Sequence, residues 1–389
     1  MISDRTVPAL SRLGTESAFE VLAKAAKLAQ SGRDIINLSI GQPDFQTPEH
    51  IVEAAVKALR DGHHGYTPAN GLVELRETVA KDILKYRNVG VDPEHVLVVP
   101  GGKVTMFFAI MMFGEPGAEI IYPNPGFPIY ESLINFTGAT AVPTPLYEEH
   151  GFSFRAADVL ALIKPETRLL IINSPANPTG GVVSVEELDK LAAGLEAHPE
   201  VFVLSDEIYS RILYHGRPHR SLLHYESLRD RLILLDGWSK TYAMTGWRLG
   251  YGVWPESLIE PATRLAINCH SCVNASAQYA AIAAMEGPQD AVAQMNTAFD
   301  ARRDLVVDKL NAVPGLSCTA PLGAFYAFPN ITELGKSSIE VQDLILDDAG
   351  VATVSGTAFG SHGEGYLRLS YANSTENIER AIERIRSVL

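Results

Sequence analysis

The sequence predicts an α/β fold built around a largely parallel, buried sheet. Two patterns carry that expectation. Helical and strand-like segments alternate through the chain. Six short apolar runs also recur in its middle: HVLVV (95–99), EIIY (119–122), RLLII (168–172), VFVLS (201–205), RLILL (231–235) and LGYGVW (249–254), each followed by a polar or Gly/Pro-rich loop. Near-continuous Val/Ile/Leu runs suit strands covered by helices on both faces, with no wet face to impose alternation. In such sheets ligands bind beyond the carboxyl ends of the strands, so the loops directly after these runs are where chemistry is expected.

Bulk properties narrow the class. A chain of 389 residues, 46% hydrophobic, is long enough for one large or two medium domains. A formal net charge of -14 argues against a nucleic-acid surface, which needs clustered Lys and Arg, and suits a protein that handles small molecules. Three cysteines, Cys269, Cys272 and Cys318, argue against a disulfide framework and for a reducing compartment. Cys269 and Cys272 form a lone C-x-x-C without a second pair or suitable histidines, so they are expected as buried thiols and no metal site is expected. Met1 to Leu10 has no long apolar run, and no window reaches the length of a membrane span. The expectation is a cytoplasmic enzyme with no membrane or nucleic-acid partner.

The elements follow in order. Residues 16–30 have helical apolar spacing through Phe19, Leu22, Ala26 and Ala29, stopped by Ser31-Gly32. After the first apolar run, Gly101-Gly102-Lys103 opens a helical stretch from Val104 to Phe113. A glycine turn there offers free N–H groups to an anion, although an ordinary strand–helix turn reads the same way. After RLLII comes NSPANPTGG (173–181), a dense turn cluster in which Pro178 and Gly180 would hold Asn177 rigidly toward a ligand. After VFVLS comes Asp206-Glu207-Ile208-Tyr209. A carboxylate at the mouth of a buried strand needs a partner, either a salt bridge or the ring nitrogen of a ligand. After RLILLDGW comes Ser239-Lys240, and Arg248 follows in TGWRLGY. A lysine at such a strand end has a lowered pKa and becomes a nucleophilic amine, and the planar fork of Arg248 suits a phosphate. The last segment puts Ile378, Ile382, Ile385 and Leu389 on one helical face, with Ser374 as N-cap.

Singly, each of these has a structural explanation. Jointly they describe one ligand: an amine to bind covalently, an acid for a ring nitrogen, donors for a phenolic oxygen, and a Gly loop plus arginine for a phosphate. Pyridoxal 5′-phosphate (PLP) carries those groups.

At these residues the chain resembles the class I/II aminotransferases, fold-type I PLP enzymes, over nearly its whole length. SKTYAMTGWRLGY (239–251) resembles the family's lysine motif, and NPTG with DEIY makes the combination specific. NLSIGQPDF (37–45), YTPANG (66–71), PNPGFPIY (123–130), GAFYAFP (323–329) and GEGYLRLSYA (363–372) match in order. The resemblance implies that Lys240 carries PLP as a Schiff base and then moves the proton. Asp206 keeps the pyridine nitrogen protonated, Tyr209 and Asn177 donate to the ring's O3′, and Phe127 stacks on the ring. Gly102, Lys103, Ser239 and Arg248 surround the phosphate, with Tyr66 reaching the phosphate of the neighbouring subunit in a homodimer. Arg368 grips the substrate α-carboxylate, with Asn177 and the backbone of Gly41 beside it. Two positions depart from the pattern: Gly237 stands where many relatives carry Ser or Thr, and Lys103 where they often carry a hydroxyl.

The implied architecture is a large three-layer α/β/α domain (48–285) around a mostly parallel seven-stranded sheet. A smaller α+β domain joins 1–47 to 286–389. The implied reaction is ping-pong transfer of an amino group from an L-amino acid (aspartate, aromatic or broad specificity) to a 2-oxo acid such as 2-oxoglutarate. A carbon–sulfur β-lyase on the same fold is the alternative. The effector domain of a transcription regulator is disfavoured by the acidic charge and the short segment preceding YTPANG.

Overall fold

Seven strands form the central sheet of the computed structural model, which describes residues 5–389; the first four residues of the expected 1–47 segment lie outside the described residues. Their spatial order is Val96–Val99, Gly250–Val253, Leu232–Gly237, Phe202–Asp206, Thr167–Asn173, Glu119–Asn124 and Thr140–Pro145. The six apolar runs supply six of them. The seventh, TAVPTP, carries Pro143 and Pro145 and has no continuous apolar run. It lies at the sheet edge, paired only with Glu119–Asn124, where residues lacking an N–H are tolerated.

Gly250–Val253 runs antiparallel to both of its neighbours, while the other pairs are parallel. Its direction therefore brings its N-terminal end, with Arg248 just before it, to the rim where the parallel strands finish. Successive residues face opposite layers. Val96 and Val98 belong to the core on one face of the sheet, with the helices Val73–Arg87, Val185–Leu195 and Ala275–Glu286, whereas Leu97 and Val99 belong to the core on the other, with Lys103–Phe113, Ile129–Thr137 and Glu256–His270. All four residues are fully buried. Each such side chain contributes about 1.5–3 kcal/mol relative to exposure. Two dry faces explain why the runs show no alternation.

A second assembly joins the two ends of the chain. Ile36–Asn37 pairs in parallel with Val351–Ala352. Leu367–Ser370 lies between Val354–Ser355 and Tyr326–Ala327, antiparallel to both. The helix Thr375–Val388 buries Ile378, Ile382 and Ile385, and the Ser374 hydroxyl accepts from the Asn377 N–H at 3.1 Å, as the spacing predicts.

Two expectations are corrected here. The helix Ser17–Gln30 buries Val21 and Ala25, not the stripe through Phe19, Leu22, Ala26 and Ala29. Phe19 is 56% exposed. The helix carries apolar residues on two faces, and periodicity alone did not select the one that packs. Cys318 is buried, but Cys269 is exposed and Cys272 half-buried. The helix Glu256–His270 packs through Ala262, Ala266 and the His270 ring, which stacks on Phe108, and this leaves Ile267 and Cys269 on its outer face. Among the described residues no helix is long and apolar enough to cross a membrane.

Candidate active site

The carboxyl ends of the parallel strands open into a cavity of about 490 Å³. Of the residues singled out from the sequence, Gly41, Gly102, Lys103, Phe127, Asn177, Asp206, Tyr209, Ser239, Lys240, Arg248 and Arg368 all line it. Tyr66 does not line it; its side chain is 95% exposed.

Lys240 sits in the short helical turn Trp238–Thr241, directly after Leu232–Gly237. Its Nζ donates to the Gly41 carbonyl at 2.6 Å. Burial, with Arg368 and Arg248 nearby, lowers the amine to about 8. About a tenth of the amine is therefore neutral and nucleophilic at pH 7, against a few parts in ten thousand for an ordinary lysine.

Asp206 ends its strand and is buried. It accepts from Tyr130 Oη at 2.6 Å and from the Ile208 N–H at 3.2 Å, and among the described residues it has no cationic partner. Burial pushes its carboxyl up to about 6 against the pull of these two bonds. Glu207 has the opposite environment. Burial opposes its charge, yet His219 at 2.7 Å and Arg87 at 3.0 Å hold it down at about 2. Neighbouring carboxylates thus split into a paired structural one and an unpaired one facing the cavity.

Arg368 lies in Leu367–Ser370 and is 4% exposed. Ser370, two residues on and so on the same face, is the register partner of Tyr326. That register sets the guanidinium 4.7 Å from the Tyr326 ring, with the Phe359 ring at 4.6 Å. Nη1 donates to Asn177 Oδ1 at 2.9 Å, Nη2 donates to the Ser39 carbonyl, and Nε has no partner among the described residues. No carboxylate of the chain is paired with it among the described residues. Burial lowers its pKa. A buried guanidinium with an orphaned N–H is arranged for an incoming carboxylate.

Asn177 is fixed by its own N–H, which donates to Asn173 Oδ1 at 2.9 Å. Tyr209 Oη lies 2.7 Å from Tyr326 Oη. At the rim, Arg248 closes on the glycine turn so tightly that a Cβ on Gly101 would lie 2.2 Å from its Nη2. With the N-terminus of Lys103–Phe113 and Ser239, this makes an anion-sized cradle. Lys103 does not point solely at that cradle: its ammonium is paired with Glu16 and lies 5.2 Å over the Phe127 ring.

The sequence reading left Tyr130, Tyr326, Asn173, Glu16 and Phe359 without roles. Tyr130 and Tyr326 stand inside PNPGFPIY and GAFYAFP, so their motifs were visible but their hydroxyl partners were not. The pairing of Glu16 with Lys103 spans 87 residues and has no local signature.

A low-pKa amine, an unpaired acid and a waiting guanidinium at the strand ends of an α/β sheet define an enzyme acting on small carboxylate-bearing molecules. The chain belongs to the aminotransferase class I and II family, which it matches over residues 33–385, and it is a transaminase. It is 37% identical to an aspartate aminotransferase of Geobacillus stearothermophilus, covering 97% of this chain and 96% of that protein. It is 38% identical to aromatic-amino-acid aminotransferase 2 of Thermococcus litoralis, covering 95% of each. Aspartate aminotransferase from Thermus thermophilus with maleate superposes with a TM-score of 0.94 at 34% identity, covering 99% of each chain.

Proposed function

We propose that the chain is a PLP-dependent transaminase that takes aspartate and aromatic donors and passes the amino group to a 2-oxo acid such as 2-oxoglutarate. The observation that carries the reading is the convergence of Lys240, Asp206 and Arg368, each with unmet chemical demand, on one cavity. The donor set fits PLP. Asp206 lacks a cation and suits a protonated ring nitrogen. The Gly101–Gly102 turn with Ser239 and Arg248 suits the phosphate, and Phe127 offers a face for the ring. When bound, PLP supplies an electron-withdrawing ring that stabilises negative charge at the donor Cα.

The chain's own residues do the rest. Arg368 and Asn177, beside Gly41, orient the α-carboxylate. The Lys240 amine would take up the donor's Cα proton and hold it beside the Gly41 carbonyl. A positioned acid–base group of this kind contributes about 10²–10⁴-fold. Asp206 would keep a ring nitrogen protonated, and the Tyr209 hydroxyl would serve as a donor to the ring's phenolic oxygen. Lys103, its ammonium paired with Glu16, adds a positive charge at the cradle rim. The relatives named for aspartate and aromatic substrates support this choice of donors, and Phe19 and Phe359 on the cavity wall suit an aromatic side chain.

The proposed division is a large domain of 48–285 and a small one of 1–47 with 286–389, with the site between them. A cytoplasmic homodimer completes the reading, with Tyr66 reaching the phosphate of the partner subunit; its exposed ring supports this. The test is a panel of amino donors with 2-oxoglutarate and added PLP. Aspartate and aromatic donors are expected to yield 2-oxo acids, and Lys240→Ala is expected to lose both turnover and the visible absorbance of bound cofactor. Ammonia release from cysteine conjugates without amino exchange would refute the donor assignment.

A further inference from the structure

The phenol of Tyr326 is held from three directions. Its hydroxyl lies 2.7 Å from that of Tyr209. Its ring lies 4.7 Å from the Arg368 guanidinium, which Phe359 covers on another side. Gly41 leaves room for it, since a Cβ there would lie 2.0 Å from the Tyr326 hydroxyl, and the Gly41 carbonyl is the acceptor of the Lys240 amine. Among the described residues, each of the two hydroxyls bonds only to the other. One hydrogen bond between two hydroxyls uses one proton and leaves the other free. For Tyr209 to direct its proton at a ligand, its oxygen must accept from Tyr326.

We propose that Tyr326 is a positioning residue: its hydroxyl donates to Tyr209 so that the Tyr209 proton is aimed into the cavity, and its ring holds Arg368 against Phe359. This rests on the PLP reading above. A donor that is itself hydrogen-bonded is polarised and binds its acceptor more strongly. Stronger donation to the phenolic oxygen favours loss of the proton from the lysine–cofactor linkage, because that oxygen carries more negative charge once the proton has gone. The charged and titratable groups facing the two phenols are Arg368, Lys240, Asp206, Tyr130 and Glu16. All of them remain in the variants below, so the comparison isolates Tyr326.

The experiment titrates the visible absorbance of the full-length enzyme with PLP against pH, for the wild type and Tyr326→Phe. Loss of one polarising hydrogen bond is expected to raise the midpoint by about 0.4–1 pH unit. Tyr326→Leu, which also removes the ring, is expected to raise KM for the amino donor a further 5–30-fold or so, through loss of the cation–π contact. A midpoint in Tyr326→Phe that stays put or falls overturns the hydroxyl role. An unchanged KM in Tyr326→Leu overturns the ring role. Wild-type enzyme with no visible band on adding PLP overturns the cofactor reading instead, so the two failures are distinguishable.

Discussion

Lys240 carries a cost in the folded chain that no surface lysine has. Its ordinary pKa is 10.5, and the folded site lowers it to about 8, chiefly through burial, with Arg368 and Arg248 adding repulsion. Below about pH 8 both folded and unfolded chains hold the proton, and the folded chain bears the full penalty of a desolvated cation. As pH rises from about 8 to 10.5, the folded amine sheds its proton while the unfolded one keeps it, so stability rises across that window. Cofactor-free Lys240→Met is therefore expected to be more stable than cofactor-free wild type at pH 7, by about 1–3 kcal/mol. The advantage should fade as pH climbs through 8 toward 10.5. Denaturant unfolding at a series of pH values checks this, and equal stabilities at pH 7 would contradict it. Sequence reasoning found the amine because a lysine after a buried run is out of place. It could not find the Gly41 carbonyl that receives it, because that contact spans 199 residues.

Among the elements, the antiparallel strand Gly250–Val253 does most to shape the site. It presses on the glycine turn: a Cβ on Gly250 would lie 2.2 Å from the Gly102 nitrogen and 2.6 Å from its Cα. Both contacts are backbone, so neither side yields cheaply. Gly250→Ala is expected to push the Gly101–Gly102 turn away from Arg248 and to cost about 1–3 kcal/mol of stability. Cofactor affinity should fall about tenfold or more, since 1.4 kcal/mol is a decade. Equilibrium titration of apo-protein with PLP measures it, and wild-type affinity would show that the turn is not squeezed. The strands themselves were legible wherever both faces are dry, because continuous Val/Ile/Leu is then the only chemistry that fits. Thr140–Pro145 was not legible, because an edge strand with mostly half-buried residues tolerates prolines that a central strand would exclude. The strand LGYGVW was found, but its reversed direction was not, because hydrophobic pattern carries no polarity.

At the scale of the whole molecule, the proposed sharing of sites between subunits turns on Tyr66. Consider one preparation carrying Lys240→Ala and another carrying Tyr66→Leu, unfolded together and refolded. A mixed dimer would have one site with both defects and one with neither. Random pairing makes about half the dimers mixed, so activity is expected to recover to about a quarter of wild type. No gain over the average of the two parents would mean that Tyr66 serves its own chain or none. The combination of the chain's two ends into one small assembly was legible only through the family resemblance. Two-residue strands such as Ile36–Asn37 and Val351–Ala352 are too short to announce themselves.

The helix Ser17–Gln30 buries only Val21 and Ala25, yet its first turn, with Ala18 and Phe19, forms one wall of the cavity beside Glu16. The residues proposed for the chemistry are mostly embedded at strand ends, where substitution disturbs packing. Those on this wall are tied to the fold by little. The division gives the molecule unequal freedom to change: a lineage, or an engineer, can rewrite what the cavity admits by altering a lightly anchored helix while the machinery beneath it is held constant by the cost of disturbing the core.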